Sequence, residues 1–295
     1  MNRILYYLVV LPISWIPLRI LYVLSHFIYF LLYFVIGYRK KVVFSNLRNS
    51  FPEKSEVEII AIAKSFYHHL SDNLLEIIRL FSISKTEVLR RCKVVNPEIF
   101  QPFLEQQQNI VIVAAHFNNW EFAGLALQEQ IPHQVFGLMT NLNHPFWNKK
   151  IIDSRSRFGL NLVDKSKLKS FLTNNQQSFS ATVFIGDQSP SSAKKQLYWT
   201  TFLNQETGVM LGAEKFARRY NYPIFYGHNR KIKKGYYEIS FELIERNPIE
   251  SKEFAITEKH LRLLETEIRR DPSFWLWSHR RWKRKRENIT RNEGK

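Results

Sequence analysis

Ile110-Val111-Ile112-Val113-Ala114-Ala115 runs without a break into His116-Phe117-Asn118-Asn119-Trp120-Glu121. Six small or β-branched apolar residues in a row read as a strand buried on both faces. The polar pair Asn118-Asn119 then opens a segment with helical character over residues 119–130. A buried strand that turns into a helix is the unit of an α/β sheet. Its connecting loop lies at the strand's C-terminal end, where open α/β sheets place their sites.

Working outward, the same alternation recurs. Residues 181–185 form a second short apolar run and predict a second buried strand. Residues 206–220 predict a helix, 223–227 a strand, and 236–243 a strand with one buried face. Residues 55–80 and 257–270 carry apolar residues at helical spacing. Together these predict an α/β fold, a central mixed sheet flanked by helices.

The N-terminal part differs. Residues 4–36 hold a single formal charge, Arg19, and residues 20–36 hold none. That length is at the short end of what spans a bilayer. A secretory signal peptide is not expected, because the apolar region is long and no small-residue cleavage site follows. Pro12 and Pro17 break a single long helix, so a membrane-anchoring helix or a helical hairpin is expected. A buried core helix is the alternative. The cluster Arg39, Lys40, Lys41 and Arg48 favours the cytoplasmic face. The expected organisation is an anchor with its basic flank over residues 1–50, and a catalytic domain with a basic C-terminal tail over 51–295.

Charge and composition narrow the function. The net charge is +17, with six basic and no acidic residues in 1–50, and ten basic against three acidic in 269–295. Charge concentrated at the two ends suits an anionic partner: a phospholipid surface, a phosphorylated substrate or a nucleic acid. At 45 % hydrophobic residues the chain is too apolar to be disordered. Its one cysteine, Cys92, excludes an internal disulfide and a thiolate metal cluster. Zinc-protease, phosphate-loop, dinucleotide and nucleophile-elbow motifs are absent, so no cofactor and no metal are expected.

The chemistry centres on His116. A histidine at a strand end takes a proton at neutral pH. Glu121, five residues on, is expected to hydrogen-bond the other ring nitrogen, fix the tautomer and stabilise the imidazolium. The competing reading makes Asn118 and Glu121 a helix capping box and His116 a hydrogen-bonded core residue. Thr207-Gly208 stands at the start of the predicted helix, where its amides would either meet an anion or simply cap.

Further segments follow in order: Arg155-Ser156-Arg157-Phe158-Gly159, Gly186-Asp187-Gln188, Phe202 with Thr207-Gly208, and Trp277-Ser278-His279-Arg280-Arg281-Trp282-Lys283. With His116–Glu121 they resemble the late acyltransferases of lipid A biosynthesis, the lauroyl/myristoyl transferase family, within the lysophospholipid acyltransferases that share a His-x4-Asp/Glu motif. Asn118 stands where that family commonly has glycine. Asparagine tolerates left-handed geometry, which absorbs the departure. Ser189 stands where some members carry a further aspartate, so that role is not carried over.

The resemblance implies catalytic roles for His116 as general base, Glu121 as its partner, Arg157 rather than Arg155 at the oxyanion or substrate, and Asp187 in support. It implies substrate contacts from Asn119, Arg155, Gln188, Thr207, Gly208, Arg280, Arg281 and Lys283. On residue type alone, the basic stretch 279–286 is expected on substrate phosphates or anionic headgroups, with Trp275, Trp277 and Trp282 at the membrane boundary. The donor would be acyl carrier protein, the acceptor a phosphorylated lipid, and the location the bacterial inner membrane with the catalytic part cytoplasmic. Attack would be direct, since no serine or cysteine adjoins His116 in sequence. A lysophospholipid or other membrane lipid as acceptor is one rival reading. A membrane-associated nucleic-acid-binding protein is the other; the resemblance implies no nucleic acid.

Overall fold

The computed structural model describes residues 2–168, 179–190 and 197–286. In chain order the helices are α1 (Asn2–Leu5), α2 (Leu11–Trp15), α3 (Leu18–Phe30), α4 (Lys40–Ser50), α5 (Glu56–Arg79) and α6 (Lys85–Arg91). Strand β1 (Cys92–Val94), α7 (Gln101–Glu105), β2 (Ile110–Ala114), α8 (Trp120–Leu127), β3 (Gln134–Met139), α9 (Pro145–Arg155), β4 (Asn161–Asp164) and β5 (Ser180–Ile185) follow. The chain continues through β6 (Leu197–Phe202), β7 (Gln205–Met210), α10 (Gly212–Tyr220), β8 (Ile224–Lys233), β9 (Tyr236–Glu245) and α11 (Ala255–Arg270).

Among the described residues, seven strands form one sheet in the order β1-β9-β8-β2-β5-β3-β4. Neighbours are parallel except β8 and β9, which are antiparallel. The mixed sheet flanked by helices is therefore as predicted. Strand β2 is central, and both of its faces are covered. Val111 and Val113 pack on the side of α10 and α11, against Phe216, Leu261 and Leu264. Ile110 and Ile112 pack on the opposite side, against Phe122 and Leu125 of α8. Double burial is why the sequence is continuously apolar here rather than alternating.

Helix α5 is the long beam beside the sheet. Ser55 caps it, accepting from the Glu58 amide, while the Glu58 carboxylate reaches back to the Ser55 amide. Ahead of it, α2 ends at Trp15 and Pro17 caps α3, so Pro17 divides the apolar N-terminal stretch as predicted, whereas Pro12 lies in the first turn of α2 and does not interrupt the helical run from Tyr6. A π-helical turn, Leu31–Val35, prolongs α3.

One predicted element is wrong. Residues 206–220 are not a single helix: Gln205–Met210 is a strand paired antiparallel with β6, and the helix begins at Gly212. The β6–β7 hairpin buries Thr207, Gly208 and Val209, and this pairing overrides the helical character of the segment. Leu203 and Asn204 make the hairpin turn, both with positive φ (49° and 61°), as the tight turns that suit strand twist require.

Candidate functional site

The paired strands β2 and β5 bring the central residues together. Ala114 is in register with Ile185, so His116 and Asp187 leave the sheet side by side, two residues past the last pair. The His116 amide donates to Asp187 Oδ2 at 3.1 Å, and Asp187 Oδ1 lies 2.7 Å from His116 Nδ1. Trp275 Nε1 donates to Oδ2 at 2.9 Å. Asp187 is buried. Burial alone would raise its pKa, but the adjacent His116 and these hydrogen bonds hold it down at about 2. An ionised carboxylate only accepts, so Nδ1 carries the imidazole proton and Nε2 keeps its lone pair. Gln188 Nε2 stands 3.2 Å from that nitrogen, and the Trp120 ring meets the imidazole edge-on.

The expected partner of His116 is thus replaced. Glu121, in the first turn of α8, binds Arg155 at the end of α9 through both carboxylate oxygens, Oε2 to Nε at 2.8 Å and Oε1 to Nη2. Asn119, not Asn118, caps α8, accepting from the Phe122 amide at 3.0 Å; this turns Glu121 toward α9 and removes the capping-box alternative. Asn118 adopts φ 53°, the left-handed geometry expected where a glycine is common.

The two arginines exchange places relative to expectation. Arg155 lines the cavity beside His116. Arg157 turns away and donates to the Leu80 carbonyl at 2.9 Å; burial, then Arg79, lowers its pKa.

Asn119 is buried and gives its amide to Glu76 at 2.5 Å, so it secures the loop from behind rather than facing a substrate. Glu76, wholly buried on α5, also accepts from Tyr22 and Tyr237, each at 2.7 Å. Asn73, one turn earlier, donates to the Asn118 carbonyl at 3.0 Å. Sequence spacing did not reveal Asn73 or Glu76, because polar residues on a helix face commonly point to solvent.

The C-terminal segment closes the site. The Asn118 amide donates to the Phe274 carbonyl, and His279 Nε2 accepts from the Ser189 amide at 3.0 Å. Burial pushes the His279 pKa down to about 4. Arg281 was expected on substrate phosphates. It is buried, donates to the Gly208 carbonyl at 3.1 Å, and burial lowers its pKa to about 10. Trp282 donates to Thr207 Oγ1 at 2.8 Å. Thr207 and Gly208 therefore lie in a strand bound to this segment, not at a helix N-terminus. Trp275 and Trp277 are core residues and do not sit at a membrane boundary. Arg280 and Lys283 are exposed; of the expected basic tail, residues 287–295 lie outside the described residues.

A cavity of about 640 Å³ opens at His116. Polar lining comes from His116, Glu121, Arg155, Gln188 and Ser189, and from Asp164, Lys165 and Ser166 after β4, and apolar lining from Leu125, Val135, Leu160 and Val183 among others. The size is that of a small-molecule site, and the lining suits a long apolar group with one reactive end. The comparison with curated proteins gave no match. The model of a family described as bacterial lipid A biosynthesis acyltransferase matches residues 2–284, nearly the whole chain, and the chain belongs to that family.

Proposed function

We propose that this acyltransferase moves a fatty acyl chain from an acyl carrier protein thioester to a hydroxyl of a lipid A precursor, by direct attack at the cytoplasmic side of the bacterial inner membrane. The observation that carries this reading is the His116–Asp187 pair, whose histidine lines a largely apolar cavity. His116 Nε2 takes the acceptor hydroxyl proton as the oxygen attacks the thioester carbonyl. The carbon–sulfur bond then breaks, and the imidazolium returns the proton to the carrier thiolate. Asp187 holds the productive tautomer and stabilises the imidazolium. Arg155, aligned by Glu121, faces the site where negative charge develops. Gln188 lies at hydrogen-bond distance from Nε2 and orients the ring before substrate arrives. No covalent intermediate is needed.

The test uses membranes containing wild type, His116→Ala or Ser189→Ala, a panel of carrier-protein donors and an under-acylated lipid A precursor, read by mass spectrometry. One added acyl chain is expected with wild type and Ser189→Ala, and none with His116→Ala. Ser189 is the informative control: it lines the cavity, and its buried hydroxyl makes no hydrogen bond among the described residues. An acyl adduct on Ser189 would end the direct-attack reading. Product only with a lysophospholipid acceptor would end the lipid A reading.

A further inference from the structure

We infer that the N-terminal helices lie along an anionic phospholipid surface, half embedded, and do not cross the bilayer. By length alone crossing is possible: Leu18–Val35 is 18 residues of helix, about 27 Å long at about 1.5 Å per residue. What excludes it is the partner packed along one side. Helix α3 runs antiparallel to α5 through a ladder of specific contacts. Tyr22 donates to Glu76 at 2.7 Å, Ser25 to Asp72 at 2.6 Å, Tyr29 stacks on His68, and Tyr33 meets Tyr67 edge-on. Lys234, from the β8–β9 turn, pairs with Asp72 at 2.8 Å and lies over the Tyr22 ring. Gly235 sits so close that a Cβ there would overlap the Tyr22 hydroxyl.

A transbilayer α3 would leave two choices. Either Glu76, Asp72, His68 and Lys234 enter the hydrocarbon with it, where ionisable groups are costly. Or α3 peels away, uncovering Leu18 and Leu21 and leaving the buried Glu76 without one of its donors. The same stretch of α5, at Asn73 and Glu76, also holds Asn118 and Asn119 beside His116, so α5 cannot follow α3 without taking the site along.

The opposite face of the N-terminal stretch is apolar and uncovered. Ile20, Val23, Phe27, Phe30 and Phe34 recur at helical spacing and are all exposed, Val23 by 73 %. Leu8 and Trp15 add to it from the preceding turns. Patches of this kind on a helix with basic flanks mark an interfacial helix. The charge fixes the occupant. Residues 1–50 contain no acidic side chain, and Arg3, Arg19 and Lys41 are exposed along this stretch, which complements an anionic headgroup layer. The pose also explains a second, apolar cleft of about 260 Å³. It is lined by Val10 from these helices, by Ile77, Phe81, Trp147 and Ile151, and by Glu121 and Arg155, which also line the cavity at His116. A lipid substrate would reach His116 sideways from the bilayer.

The pose does not depend on the acyl-transfer reading, and its test does not measure activity. The full chain, with the buried Cys92 replaced by alanine, carries either Arg3→Cys or Glu250→Cys in bacterial inner membranes. A membrane-impermeant maleimide is added to spheroplasts or to inverted vesicles. Both cysteines are expected to react in the same preparation and to stay protected in the other. Reaction of Arg3→Cys from the side opposite to Glu250→Cys overturns the inference. In a second measurement the purified protein is floated with vesicles of phosphatidylglycerol or phosphatidylcholine. At least tenfold tighter binding to the anionic vesicles is expected, reduced several-fold in Arg19→Gln/Lys41→Gln. Equal binding to both lipids overturns the choice of occupant.

Discussion

Asp187 receives three hydrogen bonds on two oxygens, two of them from His116 itself, and this arrangement separates it from Glu121. On the proposed mechanism, Asp187→Asn keeps the shape but no longer holds the proton on Nδ1. The expected loss in kcat is about 10³- to 10⁴-fold, the size seen when a buried aspartate is removed from behind a catalytic histidine. Glu121→Gln breaks an ion pair with Arg155 and leaves the His116 contacts in place, so a smaller loss in kcat, through a misaligned Arg155, is expected. Equal losses in kcat for the two variants would return Glu121 to the role first read from its spacing. His116 was legible because a strand end makes it conspicuous. Asp187 was legible only as a supporting residue, since a partner 71 positions away leaves no spacing to read. Trp275 was read as a membrane-boundary residue, because a partner 88 positions away leaves no spacing that ties it to Asp187. A pH test follows from His279. Its pKa falls from 6.5 to about 4 because burial penalises the charged ring. The unfolded chain therefore binds the extra proton between these values, and stability is lost as pH falls from about 6.5 to about 4. His260, also buried with a pKa of about 4, acts in the same window. The unfolding midpoint should drop across this interval, and less steeply in His279→Gln. A slope unchanged by the substitution would remove His279 from the account.

At the level of elements, β2, β5, α5 and α11 could be read because each has a single pattern: continuous burial, or an amphipathic stripe with a cap. The β6–β7 hairpin could not. Its identity depends on pairing between Leu197–Phe202 and Gln205–Met210, and on Arg281 and Trp282 binding Gly208 and Thr207 from more than 70 residues away. The turn itself shows which force dominates. Leu203 holds φ 49°, a conformation that costs a leucine about 1–2 kcal/mol. Glycine at this position would relieve that strain but discard a fully buried side chain. Removing a buried leucine costs about 2–5 kcal/mol, and glycine adds about 0.5–1 kcal/mol of unfolded-state entropy. Burial outweighs strain, so Leu203→Gly should destabilise the protein by about 2–3 kcal/mol in denaturant unfolding. A variant as stable as wild type would mean that strain at the turn equals the packing it supports.

For the whole molecule the governing feature is how the +17 charge is distributed. Beside His116 the cavity carries internally paired charges, Asp187 with His116 and Glu121 with Arg155. The excess is carried outside, at the N-terminal stretch and at the segment that closes the site. Arg280 and Lys283 are exposed on that segment, beside His279, which holds the Ser189 amide at the cavity rim. An acidic donor approaching the cavity would meet them first, and long-range attraction between opposite charges speeds encounter more than it strengthens the final contact. Salt screens it, with a Debye length of about 10 Å at 0.1 M. Raising salt from about 0.05 to about 0.5 M should therefore raise KM for the carrier-bound donor several-fold while kcat stays within about twofold. Arg280→Gln/Lys283→Gln should flatten the salt dependence without altering kcat. Because both side chains are exposed, the double variant should fold as wild type does, and a melting curve can verify that directly. If KM does not respond to salt, the basic rim is not the donor's docking surface, and the surplus charge at this end must serve the lipid instead.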